Sequence, residues 1–98
     1  MARLPVEIHP SALEEAHAAY HWYKERNETV AKSFLAELDH AIELVSEEPM
    51  RWSAYLDRTR RFLIKKFPFS IIYCHQNQTV QILAIAHERR KPGYWKNR

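Results

Sequence analysis

Seven cations bracket one stretch of the chain. Arg60, Arg61, Lys65 and Lys66 come before it and Arg89, Arg90 and Lys91 after it, with His87, Glu88 and Tyr94 close by in sequence. Such side chains grip phosphates or carboxylates, and arginine does so through paired N–H donors. A reaction can be written for this set. His87, Glu88 or Tyr94 would take the proton of a ribose 2′-hydroxyl while the cations stabilise the charge that builds at phosphorus. No second acid or base at a matching spacing is evident, so binding or solubility roles outweigh catalysis for these residues.

Other chemistry is thinly represented. His17 and His21 stand four apart with Glu14 and Glu25 on nearly the same side of a helix, a spacing a metal can use, but a solvated helix face accounts for them and nothing resembles HExxH. The one cysteine, Cys74, lies in an apolar run and reads as a small buried hydrophobe, which excludes a disulfide scaffold within the chain. A single glycine argues against a flexible phosphate-cradling loop. Neither a metal nor a cofactor is expected.

The cations frame a small sheet. Phe62 to Ile64, Phe69 to Tyr73 and Val80 to Ala86 are short apolar runs rich in β-branched and aromatic residues, and Gln76-Asn77-Gln78 separates the last two as a hairpin turn. Side chains alternate across a strand. Strict alternation places Phe62, Ile64, Ile72, Cys74, Val80, Ile82 and Ala84 on one face. It places Leu63, Ile71, Tyr73, Leu83 and Ile85 on the other, with Arg61, Lys65 and His87 around them. Both faces are apolar, so each needs cover.

Upstream, Leu4 to His9 alternates as a short first strand ending at Pro10. Ser11-Ala12-Leu13-Glu14 fits a capping box opening a helix that runs to about Arg26, with Leu13, Ala16, Tyr20 and Tyr23 at helical spacing. Thr29 is a plausible cap for a second helix, whose stripe Ala31, Phe34, Leu35, Leu38, Ala41, Ile42 and Val45 stops at Pro49. The expected fold is α+β and two-layered, in the order β-α-α-β-β-β, an antiparallel meander with a helical hairpin on one face, as one domain over residues 1–98. Two helices joined by a short turn blanket one face only. The aromatic loop Met50 to Leu56 and the tail, turned at Pro92-Gly93 to bring Tyr94 and Trp95 back, are candidate covers for the other. They are few residues, so a partner segment laid across that basic face is expected instead.

Charge agrees with a partner. Residues 1–49 hold four Lys and Arg against ten Asp and Glu, a net of −6; residues 50–98 hold eleven against two, a net of +9. The division suggests a polyanionic or acidic partner for the second half, unless helices and sheet neutralise each other internally. No run approaches the roughly 20 apolar residues of a membrane span and the first ten residues lack a signal-peptide core, so a soluble cytoplasmic protein with no membrane association is expected.

With those residues in view, the chain resembles the RelE/ParE superfamily of toxins from type II toxin–antitoxin, or plasmid-stabilisation, modules. The resemblance rests on the element order and on WYKERNETVAKSFLAELDHAIELVSEEPMRW, RRFLIKKFPFSIIY and ILAIAHERRKPGYW. It implies a growth-inhibiting toxin held inactive by a cognate antitoxin that wraps it, touching operator DNA only indirectly through that antitoxin. RelE-like members are ribosome-dependent mRNA endonucleases, or mRNA interferases. ParE-like members poison DNA gyrase without a known hydrolytic site.

Carried onto this sequence, the ribonuclease branch would use Arg61, Arg90 and Tyr94 as catalytic residues, with Arg89 nearby. Ser70 departs from its pattern, standing where RelE-like members tend to have an arginine, and the long helical hairpin looks more like ParE. The resemblance therefore implies a ParE-like gyrase poison, with the mRNA interferase as the alternative and a plain nucleic-acid-binding domain as a third reading. Antitoxin- or target-binding residues would be Arg61, Leu63, Lys65, Ile71, Tyr73, Leu83, Ile85, His87, Arg89, Arg90 and Trp95.

Overall fold

The structure is a computed structural model and describes residues 3–98. Strand β1 (Val6–Ile8) leads into helices α1 (Pro10–Arg26) and α2 (Glu28–Glu47). There follow the two-residue β2 (Ser53–Ala54), a single 3-10 turn at Leu56–Arg58, and the meander β3 (Arg60–Leu63), β4 (Phe69–Gln76) and β5 (Thr79–His87). The sheet runs β1-β5-β4-β3-β2, and β1 lies parallel to β5 while the other pairs are antiparallel. The α+β order and the hairpin on one face are as the sequence implies.

The helix ends differ from expectation in detail. The first helix starts a residue earlier than the Ser11 capping box allows: Pro10 occupies the first turn, where its missing N–H costs nothing, and the His9 ring accepts the Ser11 amide through Nδ1 at 3.0 Å. Asn27, not Thr29, caps α2, its side-chain oxygen accepting from the Val30 amide at 3.2 Å. At the tip of the β4–β5 hairpin, Asn77 and Gln78 both take positive φ, the two-residue primed turn that matches strand twist.

Between helices and sheet lies the main core. Ala12, Ala16 and Ala19 let α1 approach β5 closely, while Phe34, Leu38 and Val45 of α2 meet Ile71, Tyr73, Val80 and Ile82. Burial of this set supplies the larger part of the stabilising free energy, at roughly 25 cal/mol per Å² of apolar surface. Tyr73 is sealed here, and its hydroxyl donates to the Pro49 carbonyl at 2.6 Å, tying the sheet to the end of α2.

Two registers overturn the expected division of faces. Phe62 pairs with Ile71 and Arg61 with Ile72, so Ile71 and Tyr73 lie with Phe62 on the helix side, and Ile72 lies with Arg61 on the back. On β5, Tyr73 pairs with Ile82 and Ile72 with Ala84, leaving Leu83 as a β-bulge without a counterpart. The bulge switches the alternation, so Ile82 and Ile85 both face the helices and Ala84 faces back. Ile71, Tyr73 and Ile85, placed on the open face by strict alternation, are at most 3% exposed in the main core and offer nothing to a partner.

The back of the sheet is also covered from within. Pro92–Arg98 folds back and seats Trp95, 3% exposed, against Ile72, Ala84 and Ala86, with Tyr55 and Tyr94 beside it. The expected partner segment across that face is therefore not required for burial, since the aromatic loop and the tail provide the cover. Trp52 does not take part, packing on the helix side against Phe62 at 4.6 Å.

Candidate functional site

The tail is fastened where β5 lacks a neighbour. Strand β1 ends at Ile8, and the His9 amide makes the last backbone bond on that edge, to the Ile82 carbonyl at 2.9 Å. Beyond it the chain has turned into α1, and side chains take over the strand's role. The Arg98 guanidinium donates to the Leu83 carbonyl at 2.9 Å, and the Ile85 amide donates to Glu15 Oε1 at 3.0 Å. Buried backbone groups need such partners.

Glu15, reaching from α1, is the hub of this arrangement. Besides the Ile85 amide it accepts two N–H groups of Arg98 and the Tyr94 hydroxyl, the latter at 2.7 Å, and Arg90 approaches to 3.9 Å. The Tyr94 phenol is pushed well above its ordinary pKa, first by burial and then by donating to this carboxylate, with Arg90 and Arg98 opposing. The Arg98 pKa is raised chiefly by its hydrogen bond to Glu15. Neither group is poised to exchange a proton near neutral pH.

Of the three residues the ribonuclease branch would need, the fold joins two directly and the third through rings. The Arg90 guanidinium lies over the Tyr94 ring at 3.8 Å, and Tyr94 meets Trp95 edge-on at 5.3 Å. Trp95 stacks with Tyr55 at 5.8 Å, and Arg61 covers Tyr55 at 4.6 Å. A cation thus closes each end of a three-ring ladder. His87 is turned away from it, edge-on to Phe69 at 5.0 Å, with its Nδ1 accepting the Arg89 amide. Leu63 is 66% exposed next to the exposed Lys65, whereas Leu83 is half-buried beneath the tail.

Beside the clasp runs a groove of about 430 Å³, walled by Ala18, Ala19, Trp22 and Tyr23 of α1 and by Pro68, Phe69, Ile85 and His87 of the sheet. Glu15, Arg90 and Tyr94 form its polar end. Trp22 is 52% exposed and carries the Arg26 guanidinium over its ring at 3.6 Å. The mostly apolar lining with a few convergent polar groups is the usual make-up of a binding cleft. Among the described residues no cluster of three metal-ligating side chains exists, and no helix is long and apolar enough to cross a membrane.

The family model for the ParE toxin of the type II toxin–antitoxin system parDE matches residues 6–92. The chain belongs to the ParE toxin family. Its fold accords with this: a solved chain described as belonging to a chromosomal ParDE TA system from P. aeruginosa superposes with a TM-score of 0.76 at 15% identity, covering 87% of this chain and 96% of that one. No curated protein matches. In this ParE-family chain Ser70 is 7% exposed, paired with Leu63 and Ala86, so the back of the sheet holds a small buried hydroxyl where the ribonuclease branch tends to hold a cation.

Glu15 and Arg98 are the residues that sequence reasoning missed. A glutamate between Glu14 and His17 resembles the solvated side of a helix. The signal was its spacing: Ala12, Glu15, Ala16 and Ala19 follow the i, i+3, i+4, i+7 pattern of a buried stripe, and a carboxylate on such a stripe needs a partner.

Proposed function

We propose that this chain is a toxin that inhibits growth by binding and poisoning DNA gyrase, and that a cognate antitoxin neutralises it by seating an amphipathic segment in the groove beside α1. Family membership supports the first half. The groove supports the second, because it combines exposed Trp22 with apolar walls and a polar end, the anchors on which tight protein interfaces depend. In this reading the protein acts in the cytoplasm, and it is the antitoxin that recognises operator DNA.

The observation that carries the non-hydrolytic reading is the state of Tyr94. Its hydroxyl already donates to Glu15, and burial holds it protonated, so it is a poor general base for a 2′-hydroxyl. The test is supercoiling by purified gyrase titrated with the toxin. Inhibition with accumulation of cleaved DNA at micromolar toxin is the expected result, and neither effect at that concentration removes the proposal.

The mRNA interferase is the second reading, favoured by the ring ladder that links Arg61 to Tyr94 and Arg90. Toeprinting of translating ribosomes decides it. An intact message, or cutting that survives Arg61→Ala, Arg90→Ala and Tyr94→Phe, ends that reading.

A further inference from the structure

The charge division of the sequence survives folding. Among the described residues, the ion pairs that join the acidic first half to the basic second half are those of Glu15 with Arg90 and Arg98, and of Glu48 with Arg51 at 3.2 Å. Arg3 pairs with Glu43 inside the acidic half and Lys96 with Asp57 inside the basic half. Internal neutralisation therefore leaves most of the imbalance in place. Arg58, Arg61, Arg89 and Lys91 have no ion-pair partner among the described residues.

Arg61 and Arg58 belong to the side of the sheet that the helices do not cover or to its rim, and Arg89 and Lys91 to the exposed turn that follows β5. Arg61 projects from β3 on that side, and the salt bridge from Lys96 to Asp57 holds the turn bearing Arg58 against the folded tail. At the other end of the ladder, on the rim shared with the groove beside α1, Arg90 lies on Tyr94. Each guanidinium lies over a ring, and Arg90 faces the Glu15 carboxylate at 3.9 Å, beyond hydrogen-bond distance, so that N–H groups of both remain to meet a ligand. The Arg61 side chain makes no hydrogen bond to any described residue.

We propose that this helix-free face binds the phosphate backbone of duplex DNA, without reading its sequence. Two observations favour DNA over other polyanions. The rings on this face are not available for stacking on bases: Trp95 is buried, Tyr55 is covered by Arg61 and Tyr94 by Arg90, so the face lacks the open aromatic platform that holds single strands. Nor does it hold the sockets that an acidic peptide uses as anchors. The large exposed hydrophobic residues here are Leu63 on β3 and Leu56 in the turn before it, while the apolar groove lies on the α1 side. What is left is a set of cations, the equipment for backbone contact. If the gyrase reading holds, the toxin would grip the nucleic acid as well as the enzyme.

The test is fluorescence anisotropy of a labelled duplex of arbitrary sequence titrated with the full chain across a salt series. About four phosphate contacts predict a loss of affinity of roughly a hundredfold between 50 and 200 mM salt. Arg61→Gln with Arg90→Gln should weaken binding by roughly tenfold or more and flatten the salt slope by about two, whereas Lys24→Gln with Lys32→Gln, the same charge removed from the helices, should not change it. Circular dichroism and a urea midpoint verify that each variant is folded.

The proposal is overturned by no binding at low salt, by salt-independent binding, by equal losses in both double variants, or by tighter binding of single strands. A polyglutamate peptide that displaces the duplex at equal charge, with the same variant dependence, would also overturn it and assign the face to an acidic protein. Gyrase inhibition is measured on the same preparation. Inhibition without DNA binding would sink this inference and leave the gyrase reading standing.

Discussion

Glu15 and Arg98 stand 83 positions apart and form a two-pronged ion pair, Nη1 to Oε1 at 2.9 Å and Nη2 to Oε2 at 3.1 Å. Their side chains are 16% and 17% exposed, and the same carboxylate also holds the Ile85 amide and the Tyr94 hydroxyl. One acidic residue on a helix thus fixes the tail that covers the back of the sheet. Glu15→Ala leaves a cation, a phenol and a strand amide without their acceptor. The expected loss is about 3 kcal/mol in urea unfolding. Trypsin should cut at Arg90 and Lys96 faster than in the parent chain, and Glu15→Gln, which retains one acceptor oxygen, should lose less.

Tyr94→Phe removes one hydrogen bond to a carboxylate and should cost about 1.5 kcal/mol. Growth inhibition on expression should nevertheless persist, because a toxin that works by binding does not need the phenol to move a proton. Plating efficiency after induction checks this, and loss of toxicity in a variant that remains folded at 37 °C would point to chemistry at Tyr94.

Alkaline pH should loosen the fold through buried phenols. Burial raises the Tyr73 pKa to about 12, with Arg60 opposing, and raises that of Tyr94 further with help from Glu15. In the unfolded chain both phenols ionise near about 10. A folded-state pKa above the unfolded one means that the contribution is intact below about pH 10 and is lost as pH climbs through the folded values. The urea midpoint should therefore be insensitive to these groups up to about pH 9.5 and fall above about pH 10. Of the five tyrosines, at least two should ionise late in a spectrophotometric titration, in step with unfolding.

The hairpin tip offers a gain. Gln78 sits at φ 58°, a conformation that costs a residue with a Cβ and suits glycine, and Asn77 already precedes it at φ 50°. Gln78→Gly completes the Asn-Gly pair that the primed turn favours and should stabilise the chain by about 0.5 kcal/mol, seen as a higher urea midpoint with an unchanged slope. A lower midpoint would mean that the glycine's extra freedom in the unfolded chain dominates.

The element order was legible because its signals are periodic: the Phe34–Leu38–Ala41–Val45 stripe, the alternating runs of β4 and β5, and Pro49 as a stop all act within a few residues. What periodicity cannot supply is register. Placing Ile71 rather than Ile72 under the helices depends on how the Lys65–Pro68 connection sets β3 against β4, and the Leu83 bulge exchanges faces halfway along a strand whose sequence gives no sign of it. The site was legible in composition but not in connection. The family resemblance grouped Arg61, Arg90 and Tyr94, and the sequence marked Tyr94 and Trp95 as a foldable tail, yet the carboxylate that fastens the tail lies in the first helix. The expected bare face rested on too low an estimate of what Tyr55, Tyr94 and Trp95 can cover.

On the reading proposed above, this ParE-family chain stops growth by binding gyrase and not by cutting RNA. The most direct measurement incubates purified gyrase and supercoiled plasmid with the toxin, traps covalent complexes with detergent and protease, and counts linear DNA. Linear DNA should rise with toxin, be undiminished by Tyr94→Phe, and disappear when antitoxin is added first. Plasmid that is supercoiled and left uncut at every toxin concentration, alongside messages cleaved on translating ribosomes, would contradict this reading.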